Sequence, residues 1–165
     1  MNIIDNKRFM QYAWNHKHMV YSYLILRIAM VSPARGLNAF LHRLRGVKVG
    51  KNVKISHDVL LDPVEPGSIM LEDNVIIGTR VTIFAHTNPT LPLYEYIGGR
   101  TVEPVQIKEG ASIEMGAFIL PGVTVGRCAV VRAGAVVTKD IPDFTVAEGI
   151  PAKQVGSQKN EIPLT

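Results

Sequence analysis

From Ile107 onward the chain repeats every six residues, reading IKEGAS, IEMGAF, ILPGVT, VGRCAV, VRAGAV and VTKDIP. The first position is always aliphatic and β-branched: Ile107, Ile113, Ile119, Val125, Val131, Val137. The fifth is mostly small, as at Ala111, Ala117, Ala129 and Ala135, and glycine recurs at the fourth. Six residues match neither the 3.6 period of a helix nor the period of two of an indefinitely extended strand. They match short strands separated by regular corners. The first residue of each unit points inward, and glycine before the small residue permits corner backbone angles that bulkier residues resist. Three such sides close a triangular coil of eighteen residues, and coils stack by parallel pairing, each covering the apolar face of its neighbour.

The same register runs earlier, through Val49, Ile55, Leu61 and then Leu71, Ile77, Ile83, with a four-residue slip near Glu65–Ser68. Ile83 and Ile107 are twenty-four residues apart, still a multiple of six, although a loop intervenes. That loop, Thr87 to Pro104, holds Pro89, Pro92, Gly98, Gly99, Tyr94 and Tyr96 and breaks the repeat. A long irregular loop in a compact repeat protein is commonly functional.

The repeat occupies residues 47–156. Ahead of it, residues 1–46 read as a helical cap: helical spacing runs from Lys7, Ser32-Pro33 breaks it, and a second helix runs from Ala34 to Leu44. The cap covers a strand edge that would otherwise invite strand addition. Residues 157–165 read as a polar tail.

Charge divides along the same boundary. Residues 1–54 carry ten Lys/Arg against one Asp, a net +9, and the remainder carries eight against thirteen acids, a net −5. The run Met19 to Val31 is apolar but interrupted by Arg27 and too short to span a bilayer. Sealing the end of the coils is reason enough for these residues. Peripheral contact with an anionic membrane surface is the alternative. No nucleic-acid reading motif accompanies the basic head. No secretory signal is visible, and a single cysteine, Cys128, suits a reducing compartment, so a cytoplasmic protein is expected.

The fold does not decide function. The residue that stands out is His86, in IFAHTN, at a fourth position immediately before the loop. A neutral imidazole there can take the proton of a hydroxyl as its oxygen attacks a thioester. The plainer role is a polar residue that solvates a corner.

The stretches NVIIGTRVTIFAHTNP and PVQIKEGASIEMGAFILPGVTVGRC, with the ending GAVVTKDIP…AEGIPAKQVG, resemble the galactoside, maltose and serine acetyltransferase group of the hexapeptide-repeat family, over roughly Val47 to Gly156. The resemblance implies an all-β solenoid, specifically a left-handed parallel β-helix. It also implies acetyl-CoA as co-substrate, no metal, and a homotrimer with its site between subunits. It casts His86 as general base, and Met115, Ala133, Thr138, Lys139 and Lys153 as the coenzyme A contacts. Asp62 becomes an acceptor-side residue. The residue orienting His86 is left open between the loop acids Glu95 and Glu103 and a backbone carbonyl.

Departures narrow the acceptor. Met115 replaces a frequent serine, Ser112 a tryptophan found in some relatives, and the asparagine-rich acceptor segment is missing from VKISHDVLLD. These disfavour galactoside or maltose in particular and leave acyl transfer intact, with a sugar or glycan-precursor hydroxyl expected. N-acetylation of an amino sugar and a non-catalytic assembly scaffold are the alternatives. A zinc hydratase on this fold would need three histidines, whereas the repeat body carries only His57 and His86.

Overall fold

A computed structural model describes residues 17–157, with side chains from residue 20. Two helices, α1 (Lys17–Val31) and α2 (Arg35–Leu44), precede the strands. They fall inside the helical span expected from sequence; its first residues, 7–16, lie outside the described region, as do residues 158–165 of the tail.

The repeat becomes three sheets visited in rotation. The first sheet holds β1 (Lys48–Val49), β4 (Ile69–Leu71), β9 (Val105–Ile107) and β12 (Thr124–Val125), in that order. The second runs β2 (Lys54–Ile55), β5 (Ile76–Ile77), β10 (Ser112–Ile113), β13 (Val130–Val131), β15 (Thr145–Glu148) and β16 (Lys153–Ser157). The third runs β3 (Leu60–Leu61), β6 (Thr82–Ile83), β11 (Phe118–Ile119) and β14 (Val136–Val137). All pair in parallel except β15 with β16. Within the regular repeat the partner lies eighteen residues on, as in Ile113↔Val131 and Ile119↔Val137. The first circuit pairs at twenty-two, as in Ile55↔Ile77, because a 3₁₀ turn at Pro66–Ser68 takes up the four-residue slip.

The first-position residues form the core. Ile55, Leu61, Ile77, Ile83, Ile107, Ile119, Val125, Val131 and Val137 are fully buried. At 25 cal/mol per Å², each such side chain contributes roughly 1.5–3 kcal/mol. The fourth-position corners adopt left-handed backbone, not only at glycines but at Asn52, Asp58, Asn74, Arg80 and Cys128. Asparagine and aspartate tolerate that region best among side-chain-bearing residues.

The head closes the open end of all three sheets. β1, β2 and β3 are edge strands, and each presents an outward carbonyl. One donor from α2, or from the residue just past it, meets each. Arg43 Nε donates to Val49 O at 3.0 Å, Asn38 Nδ2 to Ile55 O at 3.2 Å, and Arg45 Nη2 to Leu61 O at 3.1 Å. The capped carbonyls are themselves six residues apart. Beneath them Ile25, Leu26 and Ala29 of α1 and Ala39 of α2 are buried.

The loop after Ile83 is more ordered than the sequence suggests. β7 (His86–Thr87) pairs antiparallel with β8 (Thr101–Val102), and a 3₁₀ turn at Leu91–Leu93 runs into the short helix α3 (Tyr94–Ile97). The chain leaves the stack after Ala85 and rejoins it at Glu103, whose amide donates to Ala85 O at 2.8 Å. Across the excursion partners are thirty-six residues apart, as in Ile77↔Ile113. The hairpin therefore stands outside the stack.

Candidate active site

His86 sits where the regular corner gives way to the hairpin. At this fourth position the chain starts strand β7 instead of turning through left-handed backbone. The imidazole is held from behind by Asp62, at the equivalent corner of the preceding circuit. Nδ1 of His86 lies 2.5 Å from Oδ2 of Asp62. Asp62 is fully buried. Its Oδ1 accepts from the amides of Val64 at 2.8 Å and Glu65 at 2.9 Å, and Oδ2 also accepts from the amide of Ala85 at 2.9 Å. The turn DPVE makes this possible, because an aspartate readily accepts from amides two and three residues on.

Burial alone would raise the Asp62 carboxyl, but the bonds from Glu65, Ala85, His86 and Val64 outweigh it and hold the group below the ordinary carboxylate range. An ionised carboxylate only accepts. The proton between the two side chains is therefore carried on Nδ1 of His86, so that in the neutral ring the lone pair falls on Nε2. The His86 side chain is 11% exposed, enough to meet a small group without being bathed in solvent. Its ring meets Phe84 edge-on at 6.0 Å, and Phe84 meets Phe118 of the third sheet at 5.9 Å. Arg100 of the hairpin pairs with Glu65, tying the hairpin to the Asp62 turn.

The remaining sequence-predicted residues do not gather at one point. Met115 and Ala133 stack at the corner between the second and third sheets, one circuit apart, with Gly134 N donating to Met115 O at 2.9 Å. They share a shallow groove of about 510 Å³ with Arg35, Ser56 and Thr79. Thr138 and Lys139 lie exposed at the corner after the third sheet, the corner that carries His86 two circuits earlier. Lys153 is exposed on β16, paired with Glu148. The segment before it lies on β14, through Val136 N to Gly149 O at 3.0 Å and Ala152 N to Val136 O at 2.8 Å. Met115 and Ala133 thus sit at the corner before the third sheet, Thr138 and Lys139 at the corner after it, and Lys153 just past the segment that lies on β14.

The loop candidates for orienting His86 need correction. Glu95 and Glu103 do not hold it: Glu95 lies exposed on α3, Glu103 accepts from Thr101, and the partner is Asp62. Asp62, which the resemblance casts as an acceptor-side residue, is buried with both its oxygens bonded to internal donors. Sequence reasoning also missed Arg45 and His42 beneath Asp62. In the sequence Arg45 is one of the ten Lys/Arg of the basic head and His42 one of its histidines, and no sequence signal separates them from the solvated charges around them.

Residues 104–139 match the family model described as bacterial transferase hexapeptide (six repeats). The Bacillus subtilis protein YvoF, an acetyltransferase by assignment only, is 35% identical over 137 residues, covering 82% of this chain and 75% of that one. The chain belongs to the hexapeptide-repeat acetyltransferase family. The galactoside O-acetyltransferase of Lactococcus lactis is 37% identical over 106 residues, 62% of this chain and 51% of its own length. The chain thus spans about half the length of some curated relatives it matches. A hexapeptide-repeat acetyltransferase of Vibrio cholerae, solved with acetyl coenzyme A, superposes with a TM-score of 0.72 at 20% identity, covering 88% of this chain and 90% of that one. At that identity the likeness concerns the fold. In this family member, helices of the described region are all too short or too polar to cross a membrane.

Proposed function

We propose that the chain transfers an acetyl group from acetyl-CoA to the hydroxyl of a sugar or glycan precursor, with His86 as general base. The observation that carries this reading is the His86–Asp62 pair, which fixes the proton on Nδ1 and frees Nε2. In the reaction Nε2 takes the acceptor O–H proton as the oxygen attacks the thioester carbonyl carbon. The new C–O bond gives a tetrahedral oxyanion. Its collapse breaks the C–S bond, and Nε2–H returns the proton to the departing thiolate. Asp62 stabilises the transient imidazolium and keeps the ring in one tautomer, so we assign it orientation of the base rather than acceptor binding.

Coenzyme A is assigned to the outward face of the third sheet, framed by Met115, Ala133, Thr138, Lys139 and Lys153, with the two lysines meeting phosphates as point charges. The three sheets are taken to wind as a left-handed β-helix. The assembly is taken to be a homotrimer in which one chain's His86 faces the coils of its neighbour. Leu91, Tyr96 and Ile97 on the hairpin support this, being large apolar groups that the described residues leave exposed. A thiol-release assay with acetyl-CoA and a panel of sugars, nucleotide sugars, amino sugars and amino acids tests the reading. Release dependent on a hydroxylic sugar supports it, and release only with amino sugars shifts it to N-acetylation. Absence of acetyl-CoA binding by calorimetry leaves a scaffold.

Peripheral docking on an anionic bilayer is proposed for the head. Sealing the sheets uses only one face of α1. Val20, Leu24, Ile28 and Val31 fall within about 80° on the opposite face at 100° per residue, all exposed, bordered by Tyr21, Tyr23 and Arg27. The +9 charge of residues 1–54 complements an anionic surface. Co-sedimentation with phosphatidylglycerol vesicles at low salt, lost at high salt and in Leu24→Glu with Ile28→Glu, is expected. Protein left in the supernatant at low salt ends this idea and favours a soluble acceptor.

A further inference from the structure

Arg45 lies directly beneath the catalytic pair. It is 5% exposed, and its guanidinium is almost fully bonded. Nε donates to Ser22 O at 3.0 Å and to Ser22 Oγ at 3.1 Å. Nη1 meets His42 Nδ1 at 2.9 Å. Nη2 donates to Leu61 O at 3.1 Å and to Asp62 O at 3.0 Å. A guanidinium can only donate, so His42 accepts on Nδ1 and is neutral.

Capping the edge of the third sheet does not require this cation. The neighbouring edge strand is capped by a neutral amide, Asn38, which is itself fully buried. Burying a guanidinium costs several kcal/mol of solvation unless it is well paired. Desolvation does lower Arg45 to about 10, with the Asp62 and Tyr23 charges acting the other way, so the group stays charged at neutral pH. The charged and titratable groups around it are Tyr23 from α1, His42 from α2, Asp62 from the corner after β3 and, through Asp62, His86. Asp62 is the anion that this buried cation faces. Arg45 also grips the backbone of the residue whose carboxylate grips His86.

We propose that Arg45 is a positioning residue for His86, holding Asp62 in place through its backbone and compensating its charge, so that Nε2 stays aimed and free to accept a proton. The proposal rests on the acetyl-transfer reading above for its kinetic consequences but not for its structural ones. Its sign follows from electrostatics. Without the cation, the Asp62 carboxylate is uncompensated and holds a proton on the imidazole more tightly, which removes base at a given pH.

The test compares wild type, Arg45→Gln, Arg45→Lys, Asp62→Asn and the Arg45→Gln/Asp62→Asn double variant across pH. Arg45→Gln is expected to lower kcat about tenfold, the scale of one charge-assisted hydrogen bond, with the KM for acetyl-CoA nearly unchanged. The acid limb of its pH–rate profile should move up by about one pH unit. Arg45→Lys keeps the charge and not the fork, so it should melt lower yet keep the wild-type limb. In the Asp62→Asn background Arg45→Gln should do nothing further to kcat, because its effect passes through Asp62. Arg45→Met, which fills the same space without donors, replaces Arg45→Gln if the latter does not fold. A folded variant with wild-type kcat and limb, or an effect additive to that of Asp62→Asn, overturns the proposal. NMR titration of the His86 ring in wild type and Arg45→Gln separates this from the activity. If no acceptor is acetylated, acetyl transfer fails while an upward-moved ring midpoint still supports Arg45, and an unmoved midpoint overturns it.

Discussion

His86 and Asp62 are twenty-four residues apart in the chain and 2.5 Å apart in space. Replacing His86 by alanine is expected to lower turnover by roughly two to four orders of magnitude, the range for losing acid–base catalysis. Acetyl-CoA affinity by calorimetry should hardly change, since the role proposed for the side chain is to take the acceptor's proton rather than to bind the carrier. A folded His86→Ala enzyme with near-normal turnover removes the residue from the chemistry. The place of His86 was legible in the sequence because it interrupts a strict pattern at the point where the pattern stops. The contacts of Asp62 were not. Its bond to His86 spans a circuit that includes the four-residue slip, and four donors converge on it only once the DPVE turn is made. Arg45 was hidden more deeply: composition places it among ten cations, and only the fold buries it.

The hexads fixed the strands closely, since a β-branched residue every six positions has one inward direction available to it. They could not specify how the first circuit ends. Three donors at positions 38, 43 and 45 of the head meet carbonyls at 49, 55 and 61, a match between helical and sixfold spacing that neither period announces. His42 belongs to this seal and gives it a pH dependence. Burial first, and then the Arg45 charge, lower its pKa from about 6.5 to about 3. Between those values the unfolded chain binds a proton that the folded chain refuses. Stability is therefore fully present above about pH 6.5 and is lost as pH falls toward 3, by up to about 1.4 kcal/mol per unit. Thermal melts from pH 7 to 4 should show this decline, and His42→Gln, which keeps an acceptor for Arg45 without the titration, should flatten it. A decline of equal steepness in His42→Gln would place its origin elsewhere.

At the scale of the whole molecule, the proposed trimer predicts that catalytic parts can be supplied by different chains. Inactive His86→Ala chains mixed and reassembled with chains defective at Lys139 should regain partial activity, because some hybrid interfaces pair an intact His86 with an intact Lys139. A strictly monomeric mass near 18.1 kDa in solution would end this expectation. The hairpin that carries His86 has a different kind of consequence. Because Glu103 rejoins the stack on the carbonyl of Ala85, the segment between them contributes no rung to the core and answers to no arithmetic of sixes. Insertions, deletions and wholesale exchange there leave every inward side chain on its own face, whereas a single inserted residue elsewhere would shift the register that follows. On the proposed function, the acceptor can thus be varied by trading the residues between Thr87 and Thr101 against an invariant frame that keeps His86, and a loop of foreign length grafted there is the natural place to begin.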